Sequence, residues 1–501
     1  MQLLNNARVY RYDPDTRSYS RHQAVLLDGG RIVSLDSADA GAGVPVRDMQ
    51  GATILPAFAD CHVHLTDTGY FLNERCLGGV GSYDEFAQAV RRIPHERYVF
   101  AGQYDESFWR DARTADSMPL ERYFPDSLAM LVRVDGHSCI VNRKTFAWLN
   151  LPGGTQGIER DANGEPTGKL LLEANWRAQS LFMKALPEAV KRDADRRATE
   201  LALSRGYLQL HVQFVGLPRE QYAHEIAALR ALPKAKWYPK VCEPDAAIAR
   251  ELGLPYIGGD VFLDGSIGSC TAAVGEPFET TGTRGELKYA DDELYVYFSN
   301  AEALRISAGV HAIGDRAIEQ CIATWERVLS GKPSPRGNRH FIEHFEIARH
   351  EHIEACARMG IYLSMQPQFD ELWGGAGGMY ESRLGPQRMR SMNALGRIER
   401  AGAVLCGGDD SPVCNLSPLE GMQAAVSHHE PSERLTAAQA VTMYTYNAAR
   451  LAHVEDRTGM LAPGFDADLA VLDRDPFDGA RFTDCAVLST WADGVPVYER
   501  A

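Results

Sequence analysis

Hydrophobic and polar positions change texture twice along this chain. Up to about residue 58 the apolar residues come in short runs separated by turn formers. Val25-Leu26-Leu27 and Arg31-Ile32-Val33 flank Asp28-Gly29-Gly30, a tight-hairpin signal, because glycine tolerates the positive φ of such turns. The same texture returns in residues 464–473, 486–488 and 495–498. Neither end has enough strands for an independent sheet, so the two are expected to combine into one small β domain, residues 1–58 with 455–501. That leaves 59–454 as one continuous domain.

From about residue 200 the pattern is different. Strand-like apolar runs at 207–212, 256–263, 309–312, 341–344, 361–366 and 403–408 alternate with helical periodicity at 219–232, 291–307, 317–329 and 350–359. This alternation predicts an α/β fold with a parallel sheet, and a (β/α)8 TIM-like barrel is its expected closure. A doubly wound sheet is the competing arrangement. Residues 66 to about 200 show little periodic order beyond helical patches at 83–93 and 174–197, and read as an α/β insertion that covers the site.

Composition narrows the partners. The 501 residues carry a formal net charge of -15, which argues against nucleic acid or an anionic membrane surface and leaves a small-molecule substrate as the expected partner. No stretch approaches the roughly 20 apolar residues of a membrane span, and the start lacks a basic, then apolar, leader, so a cytoplasmic location is expected. The ten cysteines are scattered without close pairs, as reduced thiols in that compartment would be.

Chemistry enters at the ends of the strand-like runs. A strand over residues 52–59 leads into Asp60-Cys61-His62-Val63-His64, where alternation points His62 and His64 to one side. Two imidazoles aimed at one point form a partial site for a first-row metal, zinc by default. His311 and His344 end later runs, and Asp410 lies just past another. In a barrel, strand C-termini form the active face, so these five residues predict a distributed metal site.

The motifs then become specific. The chain resembles the amidohydrolase superfamily, and within it amidohydrolase family 3, which includes N-substituted formamide deformylases. The resemblance rests on residues 55–64, Asp135-Gly136-His137-Ser138 with Val141-Asn142, Asp264-Gly265-Ser266, residues 311–317, Ile342-Glu343-His344, Ser364-Met365-Gln366-Pro367, residues 408–413 and residues 463–469. It implies a metal-bearing barrel with a composite β-sandwich. His62 and His64 would hold a first ion, His311 and His344 a second, and Asp410 would be both ligand and proton shuttle. The implied reaction is hydrolysis of a C-N bond in an amide, formamide or cyclic amide by metal-activated water. Asp410 and His344 are its catalytic candidates. Deamination of a heterocycle, or hydrolysis of a non-amide bond, would use the same site. A non-catalytic scaffold is the alternative of another class. Oligomeric state stays open, a homodimer being common in such families.

One position departs from the family pattern. Where many relatives have a carboxylated lysine bridging two metals, four residues before Asp-Gly-Ser, this chain has Asp260. Its arm is shorter, so it bridges only if the backbone or the metals shift. The alternative is a single ion on His62, His64, His311 and Asp410. Zn2+, one ion or two, is the expected cofactor, with other divalent first-row metals admitted. His137, Asn142, Asp264 and Gln366 are substrate-binding candidates. His211 is a partner candidate for a ligand's second nitrogen, Trp109, Phe369 and Trp373 are pocket candidates, and Asp315-Arg316 reads as an ion pair or loop anchor.

Overall fold

Ala57 divides what reads in sequence as one strand into two with different destinations. In a computed structural model describing residues 1–500 apart from 37–42, 111–112, 116–118 and 233, Thr53–Pro56 and Phe58–Val63 are separate strands. The amide of Ala57 donates to Asp468 O at 3.0 Å and that of Phe58 to Gly206 O at 3.0 Å, so the chain passes from one sheet to the other across a single residue.

Thr53–Pro56 belongs to a six-stranded sheet with Arg8–Asp13 and Ser18–His22 on one side and Leu469–Leu472, Val487–Ala492 and Val495–Glu499 on the other. Both ends of the chain thus share a ladder, Leu469 pairing with Pro56 and Leu472 with Thr53. A four-stranded sheet of N-terminal strands packs with it around Val9, Val25, Ile54, Leu469 and Trp491. It includes the hairpin of Val25–Asp28 and Arg31–Leu35, closed by Gly29 and Gly30 at positive φ.

Phe58–Val63 opens a three-stranded parallel sheet with Tyr207–Phe214 and Lys236–Val241. A five-stranded parallel sheet follows, made of Tyr256–Ile257, Ser307–Ala312, Phe341–His344, Tyr362–Met365 and Val404–Gly407. Val63 and Ser411 form a parallel bridge, tying the first of these strands to the segment after the last. One apolar core under both sheets runs through Val63, Val212, Val241, Val310, Ile342 and Leu363.

Three sequence expectations change. Lys236–Val241 is a strand that the periodicity does not announce, since Pro239 and two lysines interrupt it. The run at 256–263 is a strand only at Tyr256–Ile257, because Gly258 and Gly259 take φ of +85° and +114° and turn the chain out of the ladder before it rejoins through the Phe262–His311 bridge. A Cβ on Gly258 would lie 2.0 Å from Gly309 O, so only glycine fits there. The stretch from 66 to 200 is also more regular than it reads. It holds a five-stranded sheet, from Tyr98–Tyr104 to Pro166–Leu171, with apolar clusters on residues such as Phe86, Leu131, Phe100 and Phe182.

Candidate metal centre

Four strand ends and the glycine turn bring the predicted ligands to one point. His62 Nε2 and His64 Nε2 each lie 3.2 Å from Asp260 Oδ2, and 3.3 and 3.2 Å from Asp410 Oδ1. On the other side of the same carboxylate, Asp260 Oδ1 lies 3.7 Å from His311 Nδ1 and 3.6 Å from His344 Nε2. Each Asp260 oxygen therefore faces its own histidine pair. Ligand atoms bound tetrahedrally at about 2.0–2.2 Å stand roughly 3.3–3.6 Å apart, so these spacings suit divalent ions.

The leftover bonding capacity fits the same group. His62 Nε2, His311 Nδ1, Asp260 Oδ1 and Asp410 Oδ1 are buried atoms with no hydrogen-bond partner. Orphaned buried polar atoms are costly, and a cluster of them aimed at one space calls for an ion. Backbone strain at the same place supports this. His344 and Asp410 hold φ of +72° and +54°, at about 1–2 kcal/mol each for a residue with a Cβ.

Opposed charges dominate the electrostatics. Burial works against protonation of His62 and His64, but the carboxylates of Asp260 and Asp410 outweigh it, holding His62 well above its ordinary range and His64 at about 10. Burial raises the Asp260 carboxyl, yet His62, His311 and His344 pull it well below the usual carboxylate range. His311 goes the other way, to about 4, through burial and the neighbouring His344. A metal must therefore displace protons to bind.

The second nitrogens are also held. His62 Nδ1 lies 3.0 Å from Glu343 Oε2, and the other Glu343 oxygen accepts from Lys240 Nζ at 2.5 Å; all three groups are buried. His344 Nδ1 donates to Gln366 Oε1 at 2.9 Å and His311 Nε2 to Gly265 O at 3.1 Å, which leaves the opposite nitrogens free for a ligand. Glu343 and Lys240 were missed as site residues, although Glu343 stands inside the Ile342-Glu343-His344 motif. His211 makes no such contact. Both its ring nitrogens are unpartnered, and its ring lies against Tyr238.

A cavity of about 410 Å³ opens over the cluster, its wall including His64, Asp260, His311, His344 and Asp410 with Phe262, Phe369 and Trp373. Of the four substrate-binding candidates only His137 lines it, with its ring against Trp176 and Phe262. The other three lie outside this wall and have partners of their own. Asn142 caps the helix Arg143–Leu149 and donates to Phe124 O and Ser127 O. Asp264 accepts from the amides of Ala273, Ile313 and Gly314, which shapes the loop beside His311. Gln366 accepts from His344 through Oε1, and its Nε2 has no hydrogen-bond partner among the described residues. Trp109 packs against Tyr83 and Phe86 inside the insertion, and Asp315 accepts from Gly275 N at 2.8 Å as a loop anchor.

Comparison with known proteins gives the chain's family. The model of the "Amidohydrolase family" matches residues 45–498. Amidohydrolase YtcJ of Bacillus subtilis is 30% identical, the match covering 96% of this chain and 97% of that one. The N-substituted formamide deformylase of Arthrobacter pascens is 27% identical over 99% of this chain and 98% of its own. Among solved structures, a metal-dependent hydrolase of Pyrococcus horikoshii OT3 superposes with a TM-score of 0.74 at 23% identity, covering 96% of this chain and 99% of that one, a likeness of fold. The ligand cluster, its sequence motifs and the family match converge, and the chain belongs to the amidohydrolase family.

Proposed function

We propose that this protein is a metal-dependent hydrolase that cleaves the C-N bond of an amide, formamide or cyclic amide in a small molecule. The observation that carries the reading is the Asp260 carboxylate with one oxygen toward His62 and His64 and the other toward His311 and His344. His62, His64, Asp410 and Asp260 would hold one divalent ion, and Asp260, His311 and His344 a second, zinc or another first-row metal. The shorter aspartate would take the place of the family's modified lysine, carried on the turn that Gly258 and Gly259 make at positive φ. The two parallel sheets would be the two arcs of one (β/α)8 barrel, with the composite terminal domain, residues 1–58 and 455–501, beside it.

A divalent ion held there supplies Lewis acidity and lowers the pKa of water. The chain's own residues do the rest. Asp410 is buried, unpartnered at Oδ1 and kept ionised by His62 and His64, so it can accept the water's proton and pass it to the leaving nitrogen. His137, kept neutral by burial and by His311, can hydrogen-bond a substrate carbonyl. Phe262, Phe369 and Trp373 give the cavity an apolar wall beside the cluster.

The test is a panel of N-substituted formamides, acetamides and cyclic amides assayed for formate, acetate or amine release before and after chelation. Chelator-sensitive release restored by divalent metal is expected. Release of ammonia from amino-heterocycles alone would replace this reading with deamination. A protein that carries no metal and stays inert after reconstitution would replace it with a scaffold.

A further inference from the structure

We infer that Lys288 is the specificity residue of the cavity and that the substrate is a monoanion, a carboxylate-bearing amide with an apolar or aromatic body. This rests on the hydrolase reading above and names its substrate class. The cavity wall contains two lysine or arginine side chains, and they differ sharply. Arg133 is consumed internally, with Asp105 at 2.9 Å, Glu106 at 3.1 Å and Asp135 at 2.9 Å. Lys288 has no hydrogen bond or ion pair at Nζ among the described residues. It lies instead against a stacked pair of rings, 5.0 Å from the centroid of Trp176 and 5.0 Å from that of Phe262, which are 4.3 Å apart.

A half-buried ammonium without an anion is an incomplete arrangement, since the rings compensate only part of its lost hydration. Burial draws it down to about 8, against the raising fields of Asp264, Glu286 and Asp260, so it remains largely charged at neutral pH. The wall's carboxylates do not complete it. Asp135 pairs with Arg133, Glu243 accepts from Tyr222 Oη at 2.9 Å and Glu346 accepts from Tyr380 Oη at 2.6 Å. The missing partner therefore comes with the ligand.

Position and shape define that ligand further. Phe262, one of the rings under Lys288, also packs on His311 at 4.9 Å, so an anion on Lys288 lies one ring away from the proposed metal ligands. A single ammonium near three carboxylates suits one negative charge better than the two of a phosphate monoester. Phe71, Phe100, Val132, Met183, Phe369 and Trp373 offer the remaining wall to an apolar body.

The test uses metal-loaded protein and two probes of equal shape, 3-phenylpropionate and 3-phenylpropanamide, titrated by calorimetry into wild type, Lys288→Met and Lys288→Arg. The expected result is a preference for the carboxylate of at least about tenfold in wild type, lost in Lys288→Met and largely kept in Lys288→Arg. Equal affinities in wild type would overturn the inference. So would an undiminished preference in Lys288→Met, which would place the carboxylate elsewhere, as on the metal. Should Lys288→Met not fold, Lys288→Gln and the wild-type ratio decide. Hydrolysis of an uncharged formamide by the same proteins reads the chemical proposal separately. Its failure with the binding preference intact sinks the reaction class and leaves Lys288 standing; turnover without any preference does the reverse.

Discussion

Two clusters of histidine and aspartate among the described residues differ in what their atoms have left to bind. At the strand ends, His62, His64, His311, His344, Asp260 and Asp410 converge with four buried ligand-type atoms that make no hydrogen bond among the described residues. Behind the cavity wall, Asp370, His428 and His429 also come within ligand distance of one another. There the protein supplies partners to every ring nitrogen but one, His429 Nε2. His428 Nε2 donates to Asn393 O at 3.1 Å, its Nδ1 accepts from Glu430 N at 3.1 Å, and Asp370 receives the backbone amide and the ring of His429. The second cluster is a hydrogen-bonded strut under the helix Pro367–Trp373, which carries Phe369 and Trp373 into the cavity. Residue type and proximity do not make a metal site; unspent bonding capacity does.

The comparison breaks most visibly at Asp260. Asp260→Ala is expected to lower the metal content per chain and to reduce turnover by on the order of 10³-fold, as read by elemental analysis and steady-state kinetics. Unchanged stoichiometry would remove Asp260 from the site. Asp410→Asn tests the proton-transfer role, with an expected loss of about 10²–10⁴-fold in kcat.

Next in size is the support beneath His62. Lys240→Met leaves the Glu343 carboxylate buried without its cation and should cost about 3–5 kcal/mol, measured by denaturant unfolding. Glu343→Gln removes the charge facing His62 Nδ1 and should weaken metal affinity by about 10–100-fold.

Proton competition gives a pH test. With metal absent, the His64 value of about 10 is raised above the ordinary 6.5, so its contribution to stability is complete below about pH 6.5 and is lost as pH rises toward 10. Metal-free protein should therefore melt at progressively lower temperature over that window. Because metal displaces the proton, affinity should rise over the same window and calorimetry in buffers of different ionisation enthalpy should show proton release. The smallest effect belongs to the strut. His429→Ala should leave metal content unchanged and cost only about 1–3 kcal/mol of stability through the exposed demand of Asp370.

Much of this site is legible along the chain. His62 and His64 are marked by strand alternation, and His311, His344 and Asp410 by their places at the ends of apolar runs. The Asp260 question can also be posed from sequence through the family resemblance, which implies a modified lysine four residues before Asp264-Gly265-Ser266. What the sequence misses has physical causes. Lys240 reads as a break in a strand because a buried lysine is affordable only opposite Glu343, which lies 103 positions away. Asn142, Asp264 and Gln366 sit in motifs and yet serve the backbone or a histidine, and only their three-dimensional partners reveal that.

By itself, then, the sequence determines the α/β alternation, the pairing of texture at the two ends and the identity of the ligand-type residues, because each depends on local periodicity or on residue chemistry. The tertiary structure decides where Asp260 points, since that depends on two glycines in the left-handed region pressed against Gly309 and Gln213. It also decides which cations and histidines are already satisfied, because hydrogen-bond partners come from distant parts of the chain. Lys288 illustrates the limit most clearly: in sequence it is one lysine among many charges, and only its place over Trp176 and Phe262, with no hydrogen bond or ion pair at Nζ among the described residues, makes it informative.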